Sequence, residues 1–483
     1  MDGLVMALQG GLDSLASYLA AHVLLCLVPA FFIAGALSAL VPQQAIIRFL
    51  GPTAPKWMSY SAAAGAGSLL AVCSCTIQPL FAGIYKKGAG LGPAITFLFF
   101  APAANILALA YTGVALGAEF AIARILLALA FGIGIGMIMA ILFHDADLAR
   151  LGDAATFTDA GGVPGKTLAF VGMLVALLLA GTLKLDILKS VVFACELPWS
   201  GAAAVQQTLD RWVPVNEAVG AEGLSLQGAA LIALLAAIAA LAWRGLGTVD
   251  AGFNRLTPLA LGLTVLTLAF AALGVRVEAA GLVVSLTGRT LAVAACALAL
   301  IPLARRFDVW DIQQWLWETW RFVKQIFPLL IVGVFLVGVI RVFIQPEWIR
   351  ALAGANTVLA NLSGVLFGVF MYFPTLVEVP IAKMFLSLGM HPGPLIAYLM
   401  ADPELSLQSI LITAAIIGKL RAWTYVGLVA LFSTVAGLTY GAWVDGMPGW
   451  QLAAVVLGFV AGIVGVLHLI EGRRRAARGE NAC

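Results

Sequence analysis

Charged residues are scarce in this chain of 483 residues. Only 11% of the residues are Asp, Glu, Lys or Arg, whereas 62% are hydrophobic, and the mean hydropathy is +1.03. A soluble domain carries about 25% charged residues. The scarcity of charge therefore excludes an ordinary soluble domain, and a net charge of +3 provides no basic domain for nucleic acid. The composition predicts a polytopic membrane protein.

Cysteine and histidine are also too few, or too scattered, for several kinds of site. Six cysteines in so long a chain do not form a disulfide framework, and the four histidines show no metal-ligand spacing. Cys26 and Cys296 lie alone in apolar runs, where a thiol is most simply a small hydrophobic side chain. The chain has no Walker loop, no Ser/His/Asp set and no Gly-rich nucleotide loop. We therefore expect neither an enzyme nor a bound cofactor.

Long apolar runs dominate what is present. A bilayer is crossed by about 20 apolar residues, and the runs of this length predict an all-α membrane protein with about 13 transmembrane helices. Residues 187–205 are ambiguous between a span, an interfacial helix and a re-entrant segment. The first 16 residues have neither the positive region nor the cleavage site of a signal peptide. The basic residues at positions 473–478 place the C-terminus in the cytoplasm, because positive residues stay inside.

Helix-breaking residues recur 301 positions apart in the two halves of the chain. The five pairs are Pro79 and Pro380, Gly88 and Gly389, Gly92 and Gly393, Pro93 and Pro394, and Pro102 and Pro403. Such agreement predicts two structural repeats with broken or re-entrant helices. Paired repeats of this kind are typical of secondary transporters, whose binding sites lie where discontinuous helices meet. The number of spans between the repeats decides their relative orientation, and the recurrence of broken helices favours inverted repeats.

The repeat divides the chain into four regions. Residues 17–143 form the first unit, and residues 144–319 form a linker region with additional transmembrane helices. Residues 320–471 form the second unit together with the last helix. Residues 472–483 form a basic tail.

Cys73 and Cys75 are the candidate substrate ligands of the first unit. On extended backbone two residues at this spacing point the same way, and the nearby Pro79 favours an unwound segment. Two converging thiolates would bind a soft centre such as Cu(I), zinc or trivalent arsenic, and two sulfurs are too few for a structural zinc site. The alternative is a pair of small buried side chains with no ligand role.

The second unit carries carboxylates instead of thiols near its prolines. Glu378 lies inside an apolar segment, where a carboxylate is costly and is taken as functional by default. It would take up a proton when desolvated and so couple the substrate to protons; Lys383 is a candidate partner. The alternative is a structural ion pair. Asp402, beside Pro403, is a second proton-coupling candidate.

Further residues are expected to line the substrate path. They flank the predicted breaks and offer amide groups or freed backbone carbonyls: Gln78, Pro79, Asn105, Pro374 and Pro380. Lys86 and Lys87 end the first segment, and we interpret them as residues that reach to the membrane surface.

The motifs resemble those of the ArsP-type permease family. The resemblance rests on C-S-C at 73–75, K-K-G-A-G at 86–90, the P-x-x-N from Pro102 to Asn105, and P-T-L-V-E-V-P at 374–380. It implies an efflux permease of the cytoplasmic (inner) membrane that exports trivalent organoarsenicals such as methylarsenite, with the family's cysteines falling on Cys73 and Cys75. The implied partners are a small-molecule substrate and membrane lipids, and a homodimer is compatible with the sequence. The resemblance does not account for residues 225–304.

Other functions fit parts of the sequence. A permease for a sulfur oxyanion or a lipid-linked phosphate would use Lys86 and Lys87, and a Cu(I) permease would use the thiols. A membrane thiol oxidoreductase would cycle Cys73 and Cys75, although the sequence has no recognisable site for an electron donor or quinone.

Overall fold

The structure is a computed structural model of the whole chain. The parts of the chain that it describes are residues 2–21, 23–52, 54–69, 74–104, 106–151, 163–183, 186–199, 201–213, 223–278, 281–343, 346–370 and 378–477.

The N-terminal part contains eight α-helices among the described residues. A π-helix over Val23–Leu27 separates α1 from α2, directly before Pro29. The helices are α1 (Asp2–Ala21), α2 (Val28–Ala39), α3 (Gln43–Leu50), α4 (Lys56–Leu69), α5 (Ser74–Lys86), α6 (Leu91–Ala103), α7 (Ile106–Ala115) and α8 (Ala118–Leu142).

The C-terminal part contains six helices whose order of lengths resembles that of α3 to α8. A long helix, α16 (Val309–Arg341), precedes them and α23 (Gly449–Ala477) follows them. The six are α17 (Pro346–Ala353), α18 (Val358–Phe370), α19 (Glu378–Ser387), α20 (Pro392–Leu405), α21 (Leu407–Ile417) and α22 (Lys419–Val444). We call α3 to α8 the first set and α17 to α22 the second set.

The central part mixes helices with a small sheet. Its helices are α9 (His144–Leu151), α10 (Gly165–Thr182), α11 (Asp186–Lys189), α12 (Ala202–Trp212), α13 (Leu226–Gly245), α14 (Leu256–Ala271) and α15 (Gly288–Ala304). Its strands are β1 (Val191–Leu197), β2 (Gly274–Glu278) and β3 (Gly281–Thr287), which pair antiparallel in the order β1-β3-β2.

The small sheet is an addition to a fold that is otherwise helical, as the all-α prediction expects. Residues 187–205, which the sequence left ambiguous, form α11, β1 and the start of α12 rather than a span. β1 has the sequence VVFACEL, rich in β-branched and aromatic residues that favour strands, and its partner strand β3 comes from about ninety residues later in the chain. Such long-range pairing leaves no periodic signal in either segment alone, and so the apolar composition was read as helix.

Fewer helices than predicted are long and apolar enough to cross a membrane. Among the described residues six helices meet both conditions, and up to eight spans result if each of two bent helix pairs is one span. The shorter helices of both sets, such as α6 and α18, are apolar but have fewer than 18 residues. The structure therefore supports a helical membrane protein, and the figure of about 13 spans remains a prediction.

Equivalent glycines hold both sets together. A Cβ atom on Gly92 would lie 2.8 Å from the carbonyl oxygen of Gly136, and a Cβ on Gly393 would lie 2.7 Å from that of Gly437. These distances are too short for any side chain, so α6 lies directly on α8, and α20 lies directly on α22 in the same way. Small residues permit such close helix contacts in lipid.

The two sets meet along matching helices. α6 packs against α20 and α8 against α22, while α5 contacts α21 and α7 contacts α19. These four contacts are made between helices that hold the same place, or exchanged places, in the two sets, and α8 additionally contacts α20. The points where α6 is followed by α7 and α20 is followed by α21 lie beside this interface.

Candidate functional site

Several predicted site residues cannot be placed as side chains. Cys73, Asn105 and Pro374 lie outside the described residues. Cys75 and Pro380 belong to α5 and α19, of which only the backbone is described at these two positions.

The backbone at Cys75 corrects one expectation. The sequence predicted extended backbone here, but Ser74 and Cys75 form the first turn of α5, which continues through Pro79 to Lys86. The helix is therefore not interrupted at the proline. Because Pro79 has no N–H, it cannot donate the usual helical hydrogen bond to the carbonyl of Cys75. The backbone beside the thiol thus has a carbonyl without its helical partner.

Gln78 connects the two sets. It is buried in α5, and its Oε1 accepts a hydrogen bond of 3.2 Å from Oγ1 of Thr413 in α21. Thr413 therefore fixes the orientation of a polar side chain one turn after Cys75.

Glu378 is fully buried and is paired with Arg124 of α8. Nη2 of Arg124 lies 3.0 Å from Oε1 of Glu378 and donates a hydrogen bond of 3.1 Å to Oε2. The partner suggested by the sequence, Lys383, has an exposed side chain instead. Glu378 is also the first residue of α19, where the helix dipole favours a negative charge.

Arg124 is the functional residue that the sequence reasoning missed. It is 0% exposed; Nε donates to the carbonyl of Ala103 at 3.1 Å, and Nη1 donates to Oγ1 of Thr112 at 3.2 Å. One guanidinium therefore binds the end of α6, the middle of α7 and the start of α19. The signal was available, because an arginine in the apolar helix α8 falls under the same rule that selected Glu378.

Two more buried carboxyls lie on α20. Tyr425 of α22 donates a hydrogen bond of 2.5 Å to Oε2 of Glu404. Asp402 is 1% exposed, and neither of its oxygens has a hydrogen-bond partner among the described residues. A buried polar group without a partner costs about 1–3 kcal/mol, and more when it is charged. Such an atom in a native fold requires an explanation, and a bound proton or cation is one.

Further buried polar side chains lie at the bend between α20 and α21. Pro403 lies in the last turn of α20, and α21 continues at an angle of 47°. Ser406 caps α21 and donates to Oγ of Ser409 at 2.8 Å. Both polar atoms of the Gln408 amide are buried and have no partner among the described residues. The segment after Asp402 therefore offers several groups for a polar solute or ion.

Cys26 lies next to the start of α5. Its Sγ is 2.5 Å from Oγ1 of Thr76, and both side chains are buried. The sequence treated Cys26 as a simple apolar residue, but its position beside the residue after Cys75 brings a further thiol to this part of the fold.

The described cavities lie elsewhere. One of about 310 Å³ is at the C-terminal end of α5 and is lined by Tyr85, Lys86, Arg150, Phe322, Gln325 and Ile416. Lys86 forms an ion pair with Glu318 there. Arg421 donates to the hydroxyl of Tyr85 at 2.7 Å. This basic end of α5 agrees with a role of Lys86 at the surface.

Comparison with known proteins gives the family. The model of the family described as "Predicted permease" (ArsP_1) matches residues 10–442. A protein of Methanocaldococcus jannaschii named "UPF0718 protein MJ0584" is 32% identical over 435 residues, which cover 89% of this chain and 94% of that protein. No solved structure matches. The match spans both sets of helices and the central part, so the chain belongs to the ArsP_1 family of predicted permeases.

Proposed function

We propose that this permease is a secondary-active exporter of a soft, thiol-reactive solute, and that the solute is a trivalent organoarsenical such as methylarsenite. Membership of a permease family supports membrane transport. The choice of solute rests on the chemistry of the C-S-C segment, since thiolates select soft centres. We assign substrate binding to Cys73 and Cys75, with Gln78, Pro79, Asn105, Pro374 and Pro380 lining the path.

The observation that carries the proposal is the buried ion pair between Arg124 and Glu378. It joins the two sets where their helices are interrupted, although buried charges are expensive to maintain. A purely structural interface would be built more cheaply from apolar residues. Irregular backbone and charge at such depth are typical of a transport pathway.

Substrate capture would be a thiol exchange. Methylarsenite carries one methyl group and two hydroxyls on arsenic. Each thiol of Cys73 and Cys75 would form an As–S bond, the As–O bond would break, and the thiol proton would leave with the hydroxyl as water. Two thiols and two exchangeable hydroxyls match, and no oxidant or reductant is consumed. Release on the far side would be the reverse reaction with two waters.

Transport would be driven by protons that bind to Glu378 and Asp402. A neutral solute gains nothing from the membrane potential, so accumulation against a gradient requires a coupled ion. Both carboxyls are buried and lie on the second set, opposite the helix that carries the thiols. Proton binding there would change the charge at the interface between the sets while the solute is held by the other set.

We further propose that the two sets are inverted structural repeats that move relative to each other about this interface. The equivalent glycine contacts and the matching order of six helices support a repeat. The regions 17–143, 144–319, 320–471 and 472–483 would be the two units, the linker and the tail. The protein would lie in the inner membrane with its C-terminus in the cytoplasm. It would need no cofactor and would catalyse no reaction. It would contact membrane lipids but no nucleic acid, and it would be able to form a homodimer.

Replacement of the thiols tests this function. In arsenic-sensitive cells that express the protein, Cys73→Ser and Cys75→Ser should each abolish resistance to methylarsenite while the amount of protein in the membrane is unchanged. Cys195→Ser is a matched control, because Cys195 is exposed on β1. Full resistance in both site variants would contradict the proposal. A thermal-shift comparison of methylarsenite with Cu(I), sulfite and phosphate would then show which other solute binds.

A further inference from the structure

The interior charges at the interface between the two sets do not balance. One guanidinium, that of Arg124, and three carboxyls, those of Glu378, Asp402 and Glu404, are buried here, and all four side chains are at most 4% exposed. If every carboxyl were ionised, this group of described residues would carry an uncompensated negative charge of two. Uncompensated charge in an apolar interior is relieved by binding protons. The group therefore has more acid than its single cation can balance.

Arg124 is placed to respond to the state of these acids. Nε and Nη1 hold Arg124 to Ala103 and Thr112 of the first set, so that only Nη2 reaches the second set, at Glu378. Two nitrogens thus hold the guanidinium to the first set. The hydrogen bond from Nη2 to the second set depends on the charge of Glu378, which a proton can neutralise.

Asp402 is the second carboxyl within electrostatic reach of this guanidinium. It lies within the electrostatic influence of both Glu378 and Arg124. Its helix, α20, packs against α8, which carries Arg124, and against α19, which carries Glu378. Neither oxygen of Asp402 has a partner among the described residues, although the side chain is almost completely buried. Glu404 differs, because Tyr425 already donates to it.

We propose that Arg124 is a switch between the two sets, paired with Glu378 in the present state and with Asp402 in the alternate state. The inference rests on the proposed function and adds its coupling residue. In each state the guanidinium has one ionised partner and the other two carboxyls, Glu404 among them, hold their protons, so that neither state leaves an unpaired charge in the interior. A transporter that alternates between two conformations needs both to have similar free energies.

Proton movement follows from this exchange. In the present state Glu378 is ionised and Asp402 holds a proton. When a proton binds to Glu378, its charge is cancelled and its bond to Nη2 weakens; Asp402 then releases its own proton and accepts the guanidinium. One proton has entered at Glu378 and one has left from Asp402, and the total charge of the group is the same. Each movement of the sets therefore exchanges a proton that is taken up at Glu378 for a different proton that is released from Asp402.

The other groups that face this pair do not compete for the role. The buried titratable side chains on the described helices packed against α8 and α19 are Tyr60 of α4, Asp147 of α9, Tyr398, Asp402 and Glu404 of α20, and Tyr425 and Tyr440 of α22. Asp147 is already paired with Arg150, and a neutral tyrosine does not balance the charge of a guanidinium. Thr112 of α7 accepts a hydrogen bond from Arg124 and is not titratable in this range, and Lys383 of α19 is exposed.

The first test measures coupling in proteoliposomes with methylarsenite. Arg124→Gln should reduce proton-driven accumulation at least tenfold, while substrate exchange without a proton gradient continues, because exchange requires no net proton movement. Arg124→Lys retains the charge but not the three directions of donation, and it should give an intermediate loss. Lys383→Gln is the matched control and should keep the coupling of the unmodified protein. Proton-driven accumulation at the unmodified level in Arg124→Gln would overturn the proposal.

A second variant guards against misfolding. Arg124→Gln alone leaves Glu378 without its partner, whereas Arg124→Gln with Glu378→Gln removes both charges and should restore the amount of folded protein. The double variant should still exchange substrate but should not use the proton gradient. A double variant that remains proton-driven would equally overturn the switch.

A spectroscopic measurement separates this inference from the proposed substrate. Infrared spectra of the purified protein in lipid report neutral carboxylic acids without any substrate. Asp402→Asn should remove one neutral-acid band from the unmodified spectrum, whereas Glu378→Gln should remove none. In the Arg124→Gln background, however, Glu378→Gln should remove one. If Glu378→Gln removed a neutral-acid band from the unmodified protein, the assignment of the ionised carboxyl would be wrong, whichever solute is transported.

Discussion

The two sets of helices share one scaffold and carry different chemistry. Both have six helices in the same order, and both close their helix contacts with glycines 301 positions apart. The first set carries the C-S-C segment and Arg124, whereas the second carries Glu378, Asp402 and Glu404. The packing residues are thus the same at equivalent positions, and the charged or nucleophilic residues are not. The proposed function assigns these two groups of residues to two halves of one site.

One pair of equivalent positions shows how the difference works. Arg124 and Tyr425 are 301 residues apart and occupy the same place on α8 and α22. Arg124 donates to the backbone of Ala103, and Tyr425 donates to the side chain of Glu404, which is the equivalent of Ala103. The phenol stays within its own set, but the longer guanidinium also crosses to Glu378. The choice of arginine or tyrosine at this one equivalent position thus decides whether an ion pair connects the two sets.

The largest expected effect comes from this pair. Arg124→Gln leaves Glu378 buried without its cation, and the loss of one partner of a buried ion pair costs about 3–5 kcal/mol. Tyr425→Phe removes one hydrogen bond to a carboxyl, which is worth about 1.5–3 kcal/mol. Thermal unfolding of the two purified variants in detergent should therefore show the larger loss for Arg124→Gln. Equal losses would mean that the pair across the interface contributes no more than the bond within one set.

The shared scaffold predicts equal damage at equivalent glycines. Gly136→Ala and Gly437→Ala would each place a Cβ 2.7 Å from the carbonyl oxygen of the facing glycine, and overpacking of this kind costs about 1–3 kcal/mol. Both variants should give less folded protein in the membrane. Gly458→Ala in α23 is the control, since a Cβ there meets nothing within 4 Å. Damage at only one of the two equivalent glycines would break the structural equivalence.

A smaller effect is expected at the glycines before the last helix of each set. Gly117 and Gly418 have φ of +113° and +89°, and an added Cβ would meet nothing within 4 Å at either position. Alanine there would cost about 1–2 kcal/mol from backbone strain alone. Gly427→Ala, inside α22 and also in open space, should be neutral or stabilising by about 0.5–1 kcal/mol. Chemical denaturation of the three variants measures the difference, and a stabilising Gly418→Ala would contradict the assigned backbone.

The smallest effect concerns the polar contact beside Cys75. Thr413→Val removes the hydrogen bond to Gln78 without changing the size of the side chain much, and the cost should be about 1 kcal/mol. We expect unchanged expression and a modest loss of methylarsenite resistance, measured as the concentration that halves growth. Thr424→Val is a suitable control, because Thr424 is half-buried and its described hydrogen bond stays within α22. The same resistance in Thr413→Val as in the unmodified protein would mean that the contact with Gln78 does not contribute.

Local sequence features predicted the scaffold but not its contacts. The register of 301 residues was readable because Gly88 and Gly389 both need a positive φ, which few other residues adopt. The partner of Glu378 was not readable, since Arg124 is 254 positions away and no local pattern joins them. The strand β1 was not predicted because its partner β3 lies about ninety residues later in the chain.

The two prolines differ in whether the helix that contains them is interrupted nearby. Pro79 lies inside α5, which continues through it to Lys86. A proline in the second turn of a helix removes only one hydrogen bond, and the surrounding helix packing compensates for it. The expected break at Pro79 is therefore not formed. Pro403 behaved as expected, because the bend to α21 follows within a few residues.

The central claim is that one set holds the solute and the other drives it, and proton-driven uptake of methylarsenite into everted membrane vesicles tests this most directly. Vesicles with the unmodified protein should accumulate methylarsenite when the interior is acidified. Cys73→Ser and Cys75→Ser should abolish both accumulation and exchange, whereas Glu378→Gln should abolish accumulation and retain exchange. Loss of the same activities in all three variants would contradict the division of labour, and accumulation by both serine variants would contradict transport through the thiols.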